Sequence, residues 1–310
     1  MTIVISKSLV EYFENRLQQN VPLAGLTTAK VGGPARFLLV SHTASQLAED
    51  ARRLWDENIP FRVFGSGANM LVSDQGLDEL VIHNLAKEIV IEQVEDTYMV
   101  KGESGAALSA LARMAARNSL TGLEWASTIP GTLGGAVYGN AGAHGGNMQG
   151  NLVKAEIMHR SQGMAILTAA QMGYSYRSSL LKRSPGDAII LSASLLVTKG
   201  DQAAIDATMK EYAARRRNTQ PPGASMGSIF KNPEGDFAGR LIQEAGLKGT
   251  RIGGVEVSPL HGNFMVNDGR ATAGDYFRLI TLVREKVREH TGVTLELEIE
   301  LLGFDQDEQE

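Results

Sequence analysis

Residues 127–150, STIPGTLGGAVYGNAGAHGGNMQG, form the densest glycine segment of the chain. Glycine lacks a Cβ, so such a segment suits tight turns and close approach of backbone to a ligand. Ahead of it, Leu108, Leu111, Ala112 and Ala115 share one helical face. Ahead of that helix, residues 80–82, 89–94 and 98–101 read as short strands. Behind it, strands resume through 155–159, 166–167 and 188–197. A second glycine turn, GSGAN at 65–69, closes a helix–strand unit. Ala44, Leu47, Ala48, Ala51, Leu54 and Trp55 keep helical spacing as far as Glu57, and IPFRVF at 59–64 reads as a strand. The exposed backbone N–H groups of such turns suit a phosphate. The other reading is that both segments are structural turns.

Mixed helices and strands in 310 residues suggest about two domains, or three small ones. Hydrophobic residues make up 43% of the chain, enough for a core and too many for a disordered protein. A net charge of −5 excludes a generally basic, nucleic-acid-coating protein. The absence of cysteine excludes disulfides, thiolate metal sites, iron–sulfur clusters and cysteine nucleophiles. Residues 1–10 lack the pattern of a signal peptide, and no apolar run approaches the roughly 20 residues that cross a bilayer. A soluble cytoplasmic protein is expected.

The remaining elements follow from periodicity. Leu9 to Leu17 has helical spacing, and 37–40 reads as a strand. Residues 203–217 form an amphipathic helix ending in Arg215, Arg216 and Arg217, which Pro221, Pro222 and Gly223 terminate. A domain boundary is therefore placed near 218. Beyond it, a helix over 237–245 is closed by Gly246. A long helix over 275–290 opens with Thr272-x-x-Asp275, which has the form of a capping box. VTLELEIELL at 293–302 alternates strictly and reads as a half-buried strand. Its Glu296, Glu298 and Glu300 share one face, a solvated one on pattern alone.

Several enzyme classes drop out. No Walker A sequence occurs, and Met70 stands where Gly-x-Gly-x-x-Gly needs its third glycine. No Gly-x-Ser-x-Gly elbow is present. The six histidines form no metal-type pair, and only His144 lies in a glycine loop. Ser228, in GSIFKNP at 227–233, reads either as a held proton donor or as a turn serine bonding its own backbone. Arg177, in YSYRSS at 174–179, reads as an anion clamp or as an exposed arginine beside aromatics. The arginines at 215–217 read as an anion-steering group or a solvated helix end.

Six segments taken in order carry a resemblance. They are TTAKVGGPA (27–35), GSGANML (65–71), IPGTLGGAV (129–137), YRSS (176–179), GSIFKNP (227–233) and HGNF (261–264). Together they resemble the UDP-N-acetylenolpyruvoylglucosamine reductase (MurB) family of flavoproteins, over residues 23–303. The resemblance implies an α+β chain with an FAD-binding fold of the vanillyl-alcohol-oxidase (PCMH) type in two subdomains, 1–82 and 83–217. A C-terminal α+β substrate-binding domain at 218–303 and a tail at 304–310 would follow. It implies a cytoplasmic monomer of peptidoglycan precursor synthesis, serving cell-wall biogenesis, cell shape and division, with no nucleic-acid or membrane partner. FAD would be bound non-covalently and reduced by NADPH. Hydride would pass from reduced flavin N5 to C3 of the enolpyruvyl group of UDP-N-acetylglucosamine enolpyruvate. Protonation at C2 would give UDP-N-acetylmuramate.

The resemblance also assigns residues. Ser228 matches the proton donor and Arg177 the arginine that stabilises the enolate-like intermediate. Glu298, separated from Gly303 by four residues, matches the family glutamate. A glutamate beside developing negative charge suits a protonated carboxyl or a water-orienting one. Val31, Gly65, Ser66, Gly67, Asn69, Met70, Ile129, Pro130, Gly131, Gly134 and Gly135 fall in segments resembling the flavin site. Tyr176, Lys231 and Asn232 resemble substrate-side positions. No metal is implied. The short YSYR loop resembles the family's shorter branch, and Glu300 stands where the longer branch has an arginine. A related flavin oxidase and a non-catalytic nucleotide-binding protein on the same scaffold are the alternatives.

Overall fold

The computed structural model describes residues 3–304. The tail assigned to 304–310 lies, beyond Phe304, outside the described residues. The chain packs into two units. The first takes the chain up to Gln18, Phe37–Ser66 and Glu79–Arg216; the second takes Gln19–Arg36, Gly67–Asp78 and the chain from Arg217 on.

In the first unit, α1 (Lys7–Phe13) is capped by Ser6, whose hydroxyl accepts from Leu9 N at 3.2 Å. The helical spacing that reaches Leu17 is interrupted at Glu14, which takes φ +50°, and Leu17 opens strand β1 (Leu17–Pro22) instead. Helix α2 (Ala44–Asp56) buries Leu47, Ala48, Ala51 and Leu54, the face its spacing predicts. Asp50 is buried on it too, and a buried carboxylate needs partners. Arg16 grips Asp50 through bonds of 2.7 and 3.1 Å, and the Ser41 hydroxyl donates at 2.6 Å. Strands β2 (Pro34–Ser41), β5 (Leu77–Asn84) and β3 (Phe61–Phe64) are neighbours in that order in one sheet. Strand β3 is parallel to β5, with Phe64 opposite His83, and leads into the glycine turn at 65.

The same unit holds an antiparallel sheet ordered β12 (Gly163–Thr168), β11 (Leu152–His159), β13 (Ala188–Lys199), β7 (Thr97–Glu103), β6 (Ile89–Val94), with β8 (Leu120–Thr121) pairing the end of β13. Alternation turns Val100, Ala155, Ala193, Leu195 and Val197 into a core shared with Leu108, Leu111, Ala112 and Ala115 of α3 (Leu108–Arg117). Each leucine buried this way contributes about 1.5–3 kcal/mol before entropy is counted. The long glycine segment becomes α4 (Leu133–Gly139), the hairpin β9 (Gly142–Ala143) and β10 (Gly146–Asn147), and α5 (Met148–Asn151). A short α6 (Leu180–Arg183) precedes β13, and α7 (Gln202–Thr219) follows it.

In the second unit, α8 (Ala238–Glu244) and α9 (Ala273–Thr291) share a core with the sheet β14 (Arg251–Ile252), β15 (Val255–Val257), β16 (Met265–Asn267). Tyr276 is wholly buried there, and burial pushes its phenol well above the usual range. The capping box read from the sequence is present: Thr272 Oγ1 accepts from Asp275 N, and Asp275 Oδ2 from Thr272 N, both at 3.0 Å. Asp74 adds a second cap, accepting from Ala273 N at 2.8 Å and Gly274 N at 2.9 Å. The C-terminal alternation does not form one strand. Residues 296–298 lie along 229–231, through Lys231 N to Glu296 O and Glu298 N to Ile229 O, both 2.8 Å. Only β17 (Glu300–Leu302) is a regular strand, parallel to β4 (Met70–Val72). The segment changes partner at Ile299, so one continuous ladder is interrupted. Among the described residues no helix is long and apolar enough to cross a membrane, and no cluster of three or more His, Asp or Glu could hold a metal.

Candidate active site

The candidate residues fall into two groups, one in each unit. In the first unit Gly65, which opens the shorter glycine turn, packs on the longer glycine segment. A Cβ built on Gly65 would stand 2.5 Å from Thr132 Oγ1 and 2.7 Å from its Cγ2. Thr132 cannot swing away freely, because its hydroxyl caps α4, accepting from Gly135 N at 3.3 Å. Gly134 lies equally close to the chain after β7: its Cβ would be 2.9 Å from Ser104 Cβ and 3.0 Å from Ser104 O. Three backbone bonds fix that contact, Leu108 N to Gly131 O, Leu133 N to Ala106 O and Gly134 N to Ser104 O. Ser66, Pro130 and Gly135 are exposed, so the loops keep backbone open to a ligand.

Tyr176 and Arg177 form the corner of a tight turn closed by Ser175 N to Ser178 O (3.1 Å) and Ser178 N to Ser175 O (3.2 Å). Arg177 takes φ +56°, a left-handed conformation rare for a long side chain. Its guanidinium carbon is 5.4 Å from the Tyr176 ring centroid, and Nη1 donates to Gly142 O at 3.4 Å. Three side-chain bonds pin this turn to the end of α4 and its C-cap Asn140. Asn140 donates to Ser175 O at 3.0 Å, Ser179 to Tyr138 O at 2.7 Å, and Tyr174 to Val137 O at 3.0 Å. Burial holds the Tyr174 phenol protonated, raising its pKa far above the usual value. The first unit therefore joins Gly65, Ser66, Ile129, Pro130, Gly131, Gly134, Gly135, Tyr176 and Arg177 through one continuous set of contacts. His144, the histidine the sequence marked out, stacks on Tyr212 with centroids 4.0 Å apart and planes 3° from parallel. Burial, then Arg215 and Arg216, lower its pKa.

The second unit gathers Val31, Gly67, Asn69, Met70, Ser228, Lys231, Asn232 and Glu298. Ser228 follows Gly227, which takes φ +75°. Asn263 clamps the next residues: its Oδ1 accepts from Phe230 N at 2.9 Å, its Nδ2 donates to Phe230 O at 2.8 Å, and its carbonyl accepts from Ile229 N at 2.9 Å. Among the described residues none hydrogen-bonds the Ser228 hydroxyl, which is half-buried. The self-bonding turn reading of Ser228 therefore has no bond behind it. Asn69 Nδ2 donates to Glu298 O at 3.0 Å, and Glu300 N to Asn69 O at 3.0 Å, so the end of the glycine turn holds the segment that carries Glu298. Lys231 pairs with Glu296 at 3.1 Å, and Asn232 Oδ1 accepts from Ala238 N at 3.1 Å, where α8 begins. The Val31 side chain is buried in the core, and its carbonyl accepts from Thr27 Oγ1 at 2.7 Å. Gly67 has no room for a Cβ, which would lie 2.2 Å from Leu26 O.

Sequence reasoning did not reach Thr132, Asn140, Tyr174, Ser179 and Asn263, which hold these groups in place. Their signal was type alone: Asn, Thr and Ser beside glycine-rich turns are the residues that bond backbone.

Residues 219–302 match the family described as "UDP-N-acetylenolpyruvoylglucosamine reductase, C-terminal domain", and residues 35–166 match "FAD binding domain". The UDP-N-acetylenolpyruvoylglucosamine reductase of Lactococcus lactis subsp. cremoris MG1363 is 41% identical over 289 residues, 92% of this chain and 94% of its own. The chain belongs to the UDP-N-acetylenolpyruvoylglucosamine reductase family. A Chloroflexus aurantiacus member is 37% identical over 92% of this chain and 97% of its own. The crystal structure of the Thermus caldophilus member superposes with TM-score 0.77 at 36% identity, over 93% of this chain and 99% of that one. The fold is the α+β, FAD-binding one expected from the sequence, and the domain match indicates FAD as the cofactor. The residues present fit that group. A Cβ on Gly65 would run into Thr132, and the positions left exposed beside that contact, Ser66, Pro130 and Gly135, offer backbone and one hydroxyl and no carboxylate. Such a lining suits a pyrophosphate and a flat uncharged ring.

Proposed function

We propose that the chain reduces the enolpyruvyl group of UDP-N-acetylglucosamine enolpyruvate to UDP-N-acetylmuramate at the expense of NADPH, in cytoplasmic peptidoglycan precursor synthesis. The observation that carries this reading is the contact of Gly65 with Thr132, which makes one surface of two glycine turns far apart in sequence. In this reading residues 1–82 and 83–217 are the FAD-binding subdomains and 218–303 the substrate-binding domain, and the chain works as a monomer. Val31, Gly65, Ser66, Gly67, Asn69, Met70, Ile129, Pro130, Gly131, Gly134 and Gly135 hold FAD, mostly through backbone. Held there, FAD would supply hydride chemistry between NADPH and C3 of the enolpyruvyl group.

The chain's own residues handle the charge and the proton. Hydride addition leaves negative charge on C2 and its carboxylate. The Arg177 guanidinium, held by a left-handed backbone and a pinned turn, stabilises that charge without reorganising. The Ser228 hydroxyl, unengaged within the fold, gives its proton to C2, a step worth about 10²–10⁴-fold. Glu298 acts protonated or through an oriented water. Lys231, Asn232 and Tyr176 contact the substrate. Anaerobic stopped-flow absorbance tests the reading: NADPH should bleach the bound flavin, and the enolpyruvyl sugar nucleotide should restore its colour. A colourless protein that takes up no flavin, or a reduced flavin that the substrate does not reoxidise, overturns it.

A further inference from the structure

Helix α7 ends in three arginines. Arg215 and Arg217 are exposed, whereas Arg216 turns inward and its Nη1 donates to the carbonyl oxygen of Thr128, at the head of the glycine segment. One turn earlier Tyr212 covers His144, which lies toward the other end of that segment. The last turns of α7 therefore grip the segment at two places. Arg216 is half-buried, and burial is the cause that lowers its pKa. Among the described residues no carboxylate pairs with it. Arg16, by contrast, is turned inward onto the Asp50 carboxylate and also donates to Val40 O. Withdrawing a guanidinium from water is costly, and a single carbonyl satisfies one of its five donors without neutralising its charge. A fold that holds such a cation half-buried against the glycine segment, with its charge unneutralised, is prepared for an anion.

We propose that Arg216 is the countercharge for the anionic part of the bound FAD at the 128–135 loop. The assignment rests on the reading of these loops as the flavin site. FAD offers two such anionic parts: its pyrophosphate in either redox state, and the pyrimidine end of the ring system once reduced. Riboflavin has the ring without the pyrophosphate, so it separates the two.

The experiment uses full-length protein stripped of flavin, as wild type, Arg216→Gln and Arg216→Lys. Each is titrated with FAD and with riboflavin at low and high salt, and the flavin-loaded forms are poised for reduction potential. If the pyrophosphate is the partner, Arg216→Gln weakens FAD binding by about tenfold or more, leaves riboflavin unchanged, removes the salt dependence, and Arg216→Lys recovers most of the loss. If the reduced ring is the partner, both affinities hold and the potential of Arg216→Gln falls by about 30 mV or more, tenfold weaker binding of the two-electron-reduced form. Equal weakening of FAD and riboflavin together with a lower urea midpoint makes Arg216 a loop clamp only and overturns the proposal, as does no change in any measurement. A wild-type chain that takes up no FAD overturns the reading of the site, and this assignment with it.

Discussion

Gly65→Ala puts the packing of the two glycine turns to a direct test. Gly65 is not among the glycines with positive φ, so alanine meets no conformational barrier there. Alanine also restricts the unfolded chain, a gain of about 0.4–1 kcal/mol. Space works the other way. The new methyl would stand 2.5 Å from Thr132 Oγ1, 2.7 Å from Cγ2 and 3.1 Å from Cβ. Overpacking of this kind costs about 1–3 kcal/mol, leaving a net loss of roughly 1–2 kcal/mol. Thr132→Ala removes the two nearest atoms along with the α4 cap, at a cost of about 1 kcal/mol. In the double variant only the 3.1 Å approach to Cβ remains, which a small shift relieves while the entropic gain returns, so it should be about as stable as Thr132→Ala alone. The coupling between the two sites should therefore be about 1–3 kcal/mol in favour of the double variant. Urea unfolding of the flavin-free proteins gives the four stabilities. FAD titration should show the same pattern, with each 1.4 kcal/mol of displacement weakening binding about tenfold. Losses that simply add, with coupling under about 0.5 kcal/mol, would show that Gly65 and Thr132 do not touch and would remove the structural basis of the flavin cradle.

Four further outcomes are expected. Gly134→Val should lower the flavin content of purified protein, because even its Cβ would stand 2.9 Å from Ser104 Cβ; unaltered content contradicts that placement. Ser228→Ala should leave flavin reduction by NADPH nearly intact and slow reoxidation by the enolpyruvyl substrate about 10²–10⁴-fold, and equal loss in both half-reactions removes its role as proton donor. Arg177→Gly should relieve the left-handed backbone, holding or raising the melting temperature while turnover falls; a drop in both makes the guanidinium structural. His83, His144 and His261 all lie below the ordinary histidine pKa, burial being the first cause in each. The unfolded chain then binds more protons below about pH 6.5, so stability is full above that pH and declines as pH falls through it. Urea midpoints between pH 8 and 5 should show this, and His261→Gln should flatten the decline; a slope identical to wild type refutes the assignment.

Local physics was legible in the sequence and long-range partnership was not. The faces of α2 and α3 and the box at Thr272 follow from spacing and side-chain type within a few residues, and the structure has each of them. The alternation at 293–302 was also read correctly as a face, with Leu295 and Ile299 buried. Alternation, however, states which side is apolar and not which chain lies alongside. Residues 296–298 lie along 229–231 and Glu300–Leu302 takes β4, so one period conceals two partners. The bond from Asn69 to the Glu298 carbonyl spans 229 positions, and that from Asn267 to the Ala29 carbonyl spans 238. No window of sequence holds both ends of either bond.

The same limit explains why residue type alone leaves Arg177 open between an anion clamp and an exposed arginine beside aromatics. An arginine beside tyrosines is ordinary by composition. An arginine at φ +56° carries a penalty that the fold maintains through Asn140, Tyr174 and Ser179, three side chains that each bond or buttress the turn rather than the guanidinium. Strain held in place by so many independent contacts is characteristic of a side chain whose position matters more than its stability. Glycine at 177 would fold with less effort, so the identity of the side chain is what the turn preserves. That is the reason Arg177→Gly separates function from stability more sharply than any other substitution in the site.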